Sequence, residues 1–121
     1  MSGDIYSKSA DFAVRIVKLY QYLCGEKKEF TISRQLLRSG TSIGANLSEA
    51  KYAESTDDFI HKASVSLKEC SETEYWLSVL SRTDYLNERE YESIRCDCSE
   101  LAKLLTAILK TMKEKREINN S

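Results

Sequence analysis

The stretch QLLRSGTSIGANLSEA, residues 35–50, decides the fold, because it has the spacing of an amphipathic helix without the usual composition of one. At heptad spacing, Ser39 and Asn46 place polar groups in a stripe that should be apolar. Gly40 and Gly44 lie in the adjacent stripe, where they lack the side chains that hold packed helices apart. Each glycine costs a helix about 1 kcal/mol relative to alanine, so packing must return that energy. We therefore predict a central helix that contacts neighbours on more than one side.

Three further amphipathic segments surround this helix in sequence, and the chain has no proline and only four glycines. Turn signals separate the segments: Thr31 and Ser55 are expected N-caps, Gly25 is an expected left-handed cap, and Asn87 with Glu90 forms a capping box. The predicted helices span about 5–24, 32–52, 56–82 and 88–116, and the residues from 118 onward are expected to fray. Residues 1–121 are thus predicted to form one all-α domain, an antiparallel up-down-up-down four-helix bundle.

Charge and cysteine content limit the class of protein. The 18 basic and 19 acidic residues give a formal net charge of −1, which argues against a large phosphate-binding surface. No apolar run approaches the roughly 20 residues that a membrane helix needs, and no leader pattern opens the chain, so we expect no membrane partner and a cytoplasmic location. The four cysteines are expected to be reduced and structural, and the CxC spacing of Cys96 and Cys98 has no histidine nearby to complete a zinc site.

Catalytic and metal-binding patterns are largely missing from the sequence. His61 is the one histidine, so neither a di-iron site with two Glu-x-x-His motifs nor an HExxH zinc site can be assembled. We therefore expect no metal, cofactor or small-molecule substrate. An enzyme would have to rely on carboxylates, for which Glu49, Glu69 and Glu72 are the candidates.

A second stripe of the third predicted helix places Glu69 and Glu72 one turn apart, between Val65 and Trp76. A carboxylate in such a position needs a partner. We interpret Glu69 and Glu72 as part of a structural polar cluster between the second and third helices, which sets helix and subunit register. The predicted cluster consists of Arg38, Ser39, Asn46, Glu49, Glu69 and Glu72.

Basic side chains suggest a second hypothesis, RNA binding, although a solvated helix end is the commoner meaning of such a run. Four of them gather at the end of the last predicted helix, where they also suit the negative pole of the helix dipole. The candidate RNA contacts are Arg34, Arg38, Lys110, Lys113, Lys115 and Arg116.

The segments RQLLRSGTSIGANLSEA and DFIHKASVSLKECSETEYWL together resemble the four-helix-bundle family of proteins encoded in intervening sequences of bacterial large-subunit ribosomal RNA. The resemblance covers nearly the whole chain. It rests on Arg38, Ser39, Ser42, Ile43, Asn46, Glu49, Phe59, Glu69, Glu72, Tyr75, Trp76 and the 101–105 region. The chain departs from the family at Ala50 and Asp84, where glycine is frequent.

The resemblance implies a bacterial bundle that assembles into a ring, commonly a homopentamer, with no established enzymatic activity. A relative of the family serves as accessory protein to retroelement reverse transcriptases and looks to bind RNA. From the resemblance we expect a non-enzymatic binding or scaffolding protein. The alternative is an RNA-binding accessory protein of a nucleoprotein or reverse transcriptase system.

Overall fold

A computed structural model describes residues 4–120 and contains four helices within that range. They are α1 (Ile5–Gly25), α2 (Ile32–Ala50), α3 (Thr56–Arg82) and α4 (Glu88–Asn120). The described chain contains no β-strand, so the all-α prediction is confirmed.

Side-chain contacts show that α2 and α3 run antiparallel, and that α1 and α4 do as well. Glu49 of α2 pairs with Lys62 of α3, whereas Arg38, nearer the start of α2, reaches Glu69, farther along α3. The same reversal relates α1 to α4, where the Lys8–Glu100 pair is followed by the bonds from Arg15 to Asp97 and Ser93. Each helix packs against its neighbour in sequence, and α1 also meets α4 to close the bundle.

The core is a continuous apolar cluster to which all four helices contribute. Its largest fully buried members are Ile16, Leu23, Leu36, Ile43, Leu47, Leu77, Leu80, Leu101 and Leu105. Burying a leucine or isoleucine side chain contributes about 1.5–3 kcal/mol, so this cluster is the main source of stability.

Gly40 and Gly44 allow α1 to lie close to α2. A Cβ atom at Gly40 would lie 2.8–3.0 Å from three side-chain carbons of Ile16, and one at Gly44 would lie 3.3 Å from the carbonyl oxygen of Ser9. The close approach predicted from the glycine stripe is therefore made within the same chain. Side chains on α2 would force the two helices apart.

Two helix ends differ from the sequence prediction. Helix α2 ends at Ala50, and residues through Tyr52 continue only as a turn. Helix α4 continues to Asn120 instead of fraying from residue 118; Ser121 lies outside the described residues. Arg116 explains part of this extension, because its Nη1 lies 3.2 Å from Oδ1 of Asp57 at the start of α3.

The chain reverses after α1 and α3 through residues other than glycine. Gly25 is not left-handed as predicted: it is the last residue of α1, and Lys28 takes the left-handed conformation with φ 56°. After α3, Asp84 has φ 68°, and Tyr85 N–H donates to the carbonyl of Leu80. This is the Schellman arrangement that glycine usually occupies, and it explains why glycine is favourable where this chain has Asp84.

The N-termini of the helices are capped by side chains. The predicted caps at Ser55 and at Asn87 with Glu90 are confirmed, since each forms the expected bonds to backbone N–H groups. Thr31 makes no side-chain capping bond. Glu29 caps α2 instead, because its carboxylate accepts from three consecutive backbone N–H groups, at residues 31–33.

Gly25→Ala is expected to stabilise the protein by about 0.5–1 kcal/mol, because Gly25 is helical and alanine reduces the freedom of the unfolded chain. A Cβ atom at this position would meet nothing within 4 Å. Urea unfolding followed by circular dichroism measures the change. A lower free energy of unfolding for the variant would contradict the assigned helical conformation.

Candidate functional site

The main polar site lies between α2 and α3, around the guanidinium of Arg38. Its Nη1 and Nη2 donate to the two carboxylate oxygens of Glu69 at 3.0 and 3.3 Å, and Nη2 also donates to Oε2 of Glu72. Glu69 and Glu72 are one turn apart on α3, so one side chain of α2 binds two successive turns of α3. The fork geometry of arginine is suited to this kind of pairing.

Trp76 extends the site. Its indole Nε1–H donates to Oε2 of Glu72 at 3.0 Å, and its ring meets Tyr75 edge-on, with centroids 4.9 Å apart. The bond from Trp76 and then the bond from Arg38 hold the pKa of Glu72 below its ordinary value. The bonds to Glu69 and then Glu72 raise the pKa of Arg38. Glu72 and Arg38 are therefore both charged at neutral pH.

Beneath this charged site, hydroxyl groups link the same two helices in the core. Thr73 Oγ1 lies 3.0 Å from Ser39 Oγ, and Ser66 Oγ donates to the backbone carbonyl of Ile43 at 2.8 Å. Thr73 and Ser66 were not predicted from the sequence. Both occupy core-facing positions of α3, where a hydroxyl among apolar neighbours could have indicated a bond to an adjacent helix.

Two members of the predicted cluster lie outside it. Asn46 donates to the carbonyl of Ser42 in its own helix at 2.9 Å, and the carboxylate of Glu49 binds Lys62 at 2.9 Å. The structure thus brings together Arg38, Glu69 and Glu72, places Ser39 in the hydroxyl layer below them, and separates Asn46 and Glu49. We refer to Arg38, Glu69, Glu72 and Trp76 as the Arg38 cluster.

The candidate RNA contacts are also separated. Arg34 and Arg38 lie in the first half of α2, whereas the four cations of the last helix lie at the end where α4 passes the start of α3. The guanidinium of Arg38 binds carboxylates, and that of Arg116 binds Asp57. No single basic surface is formed by the six predicted residues.

Within residues 4–120, no group of three or more histidine, cysteine or acidic side chains is arranged to hold a metal ion. No helix in the same range is long and apolar enough to cross a membrane. His61 is exposed. The carboxylates of the Arg38 cluster are engaged by Arg38 and Trp76, and nothing in this arrangement points to catalysis.

A second surface feature is the outer face shared by α1 and α2. Its members are small or apolar, and none is charged: Ala10, Ala13, Val14, Val17, Leu37, Thr41, Ala45 and Ser48. Val14 is 55% exposed and Val17 is 38% exposed. Part of this surface forms a shallow groove over Gly44, between Ala10 and Ala13 of α1 and Ala45 of α2, and Lys51 also lines this groove. We refer to these eight residues as the α1–α2 face.

Glu69→Ala is expected to destabilise the protein by about 1 kcal/mol. The bidentate bond to Arg38 is lost at a residue whose side chain is only 15% exposed, although Arg38 itself is half exposed and screened by water. A thermodynamic cycle with Arg38→Ala measures the coupling by urea unfolding. Additive effects in the double variant would show that the pair contributes nothing.

Comparison with known proteins places these features in a family. The sequence model of the 23S rRNA-intervening sequence protein family matches residues 2–107. A solved structure from Bacteroides thetaiotaomicron VPI-5482, described as a protein with unknown function from the S23 ribosomal protein family, is 55% identical. The match covers 88% of this chain and 99% of that one, with a TM-score of 0.88. No match was found among curated proteins. The chain therefore belongs to the 23S rRNA-intervening sequence protein family.

Proposed function

We propose that this protein is a non-enzymatic bundle that associates with copies of itself, as a ring of five, and acts as a scaffold for a binding partner. The observation that carries the proposal is the uncharged α1–α2 face. Val14 and Val17 project from it, and the charged side chains nearest to it, Arg34 and Lys51, flank it at the two ends of α2. Exposed valines scattered singly would need no explanation, but a continuous uncharged face over two helices is typical of an interface.

The glycine stripe of α2 is not evidence for self-association. Gly40 and Gly44 face α1 of the same chain, so their lack of side chains is already used inside the bundle. The case for self-association therefore rests on residues that project outward. Complete burial of one valine contributes about 1.5 kcal/mol, so several such residues can support a specific contact.

Ring closure requires a second, different face on each copy, because identical faces would give a closed dimer. The face shared by α2 and α3 carries Val65 and Val79 beside the Arg38 cluster, and both valines and Trp76 of the cluster are partly exposed. A ring of five needs the two contacting faces of each copy to differ by about 108°, and adjacent faces of a four-helix bundle, about 90° apart when the bundle is square, lie near that angle. In this arrangement the Arg38 cluster would fix α2 relative to α3 on the face that contacts the α1–α2 face of the next copy.

The test is a double variant, Val14→Asp with Val17→Asp, studied by light scattering after size exclusion. It is expected to be a folded monomer of 13.9 kDa, because each aspartate would be buried without a partner in the interface. Ala107→Asp, on the exposed side of α4, is the matched control and should leave the assembly intact. A double variant that keeps the mass of the wild-type assembly would exclude the α1–α2 face as the interface.

The second candidate function is an RNA-binding accessory protein, and the charge distribution favours it. Residues 108–121 lie beyond the family match and carry four of the 18 basic residues but only two of the 19 acidic ones. This segment therefore has a net charge of +2, and the rest of the chain has −3. Through Asn120 it is helical, so its lysines are presented on a defined element.

RNA binding through this segment predicts an affinity that falls steeply with salt and that is lost in Lys110→Glu with Lys113→Glu. Filter binding of a single-stranded RNA at two salt concentrations measures both effects. The matched control is Arg34→Glu, which changes an exposed cation in the first half of α2. Equal losses in the two variants would show that binding is not specific to the end of α4.

A further inference from the structure

Two cysteines from different helices meet in the core of the bundle. Cys70 of α3 and Cys98 of α4 are both buried, and the thiol of Cys98 donates to the backbone carbonyl of Cys70 at 3.5 Å. Cys96 is the neighbour of Cys98 in sequence, but it is exposed on the outer side of α4. The partner available to Cys98 is therefore on another helix, 28 residues away.

The environment of this pair keeps it reduced under ordinary conditions. The hydrogen bond with Cys70, and then burial, raises the pKa of Cys98 far above its ordinary value. The thiolate is the reactive form of cysteine, so the raised pKa protects Cys98, and burial protects both thiols. A reagent gains access only when α3 and α4 separate locally.

We propose that Cys70 and Cys98 are a latent oxidation site, which forms a disulfide between α3 and α4 when the protein meets a peroxide. In the first step, one thiol that has become exposed attacks the O–O bond of hydrogen peroxide, giving a sulfenic acid and one water. The second thiol then attacks the sulfenic sulfur, and the S–S bond forms as a second water leaves. Two thiols are oxidised and one peroxide is reduced, so the step needs no other reactant.

The disulfide would close the α3–α4 hairpin, which includes the left-handed turn at Asp84. Cross-linking residues 70 and 98 restricts the unfolded chain, and for a loop of this length the expected rise in Tm is about 10–15 °C. Oxidation would therefore leave the fold unchanged and fasten two of its helices together. The other two cysteines, Cys24 and Cys96, have no part in this reaction.

The experiment treats the full-length protein with hydrogen peroxide and follows intact mass, free thiols and Tm. We expect a mass loss of about 2 Da for two hydrogens and a fall from four titratable thiols to two. Low urea should accelerate the reaction, because it favours opening of the helices. Peptide mapping should find the bond between residues 70 and 98.

Two variants make the result specific. Cys96→Ser should retain the mass loss and the rise in Tm, and Cys98→Ser should lose both. The proposal is overturned if Cys96→Ser abolishes the cross-link or if peroxide only adds oxygen, at any urea concentration below unfolding. It is also overturned if the 70–98 bond forms and Tm does not rise, since the bond then strains the fold instead of fastening it.

Discussion

Gly40→Ala is expected to destabilise the folded protein by about 1–3 kcal/mol, the usual cost of overpacking a well-filled core. The new methyl group would lie 2.8–3.0 Å from three carbons of Ile16, which is itself completely buried. Because Ile16 branches at Cβ, its contacting atoms cannot move away by rotation of a flexible chain end. The two helices must therefore move apart, and urea unfolding should show the loss.

A thermodynamic cycle with Ile16→Ala tests whether contact with Ile16 causes the loss of stability in Gly40→Ala. Ile16→Ala alone should cost about 2–5 kcal/mol through the cavity it leaves. In the double variant the methyl group at residue 40 has space, so the combined cost should be less than the sum of the two single costs. Gly25→Ala is the matched control, with the opposite expected sign. Unchanged stability in Gly40→Ala would contradict the close packing of α1 on α2.

Glu29→Ala is expected to cost about 2 kcal/mol, near the upper end for loss of a helix cap. The carboxylate of Glu29 is almost completely buried and accepts N–H groups from Thr31, Ile32 and Ser33, at 3.2, 3.1 and 2.7 Å. Its negative charge also lies at the positive end of the α2 dipole. Removing it leaves the first turn of α2 without a cap.

The same contacts predict a dependence on pH. Burial by itself would raise the pKa of Glu29. The hydrogen bonds from the N–H groups of Ser33, Ile32 and Thr31 together lower this pKa by more than burial raises it, so it lies below the ordinary value of 4.5. A lowered pKa in the folded state means that the stabilisation is complete above about pH 4.5 and is lost as the pH falls through the folded-state pKa. The free-energy difference between wild type and Glu29→Gln should therefore shrink as the pH falls below 4.5. A difference that is constant from pH 7 to pH 2 would contradict the role of the charge.

The sequence was sufficient to predict the helices, because proline is absent and the apolar spacing is regular. The caps at Ser55 and Asn87 were predictable since each depends on side chains three residues apart. The cap of α2 was not, because Glu29 stands two residues before the expected cap and reaches the helix with a longer side chain. Gly25 was predicted to be the left-handed cap of α1, but the helix includes it, and the left-handed residue is Lys28.

The polar site was predicted only in part. Spacing on α3 indicated that Glu69 and Glu72 needed a partner, and Arg38 was correctly placed on the facing helix. Periodicity within one helix does not give its position along the next, which is why Glu49 was assigned to the cluster although it lies beside Lys62. The pairing of Cys70 with Cys98 depends on the same relative position of two helices, so it too required the structure.

The central claim is self-association, and light scattering of the wild-type protein after size exclusion tests it most directly. Absorbance at 260 and 280 nm across the peak reports any bound nucleic acid. We expect a mass of about 70 kDa, five copies of the 13.9 kDa chain, with the absorbance ratio of protein alone. A single species of 13.9 kDa at every concentration, including well above the micromolar range, would contradict it.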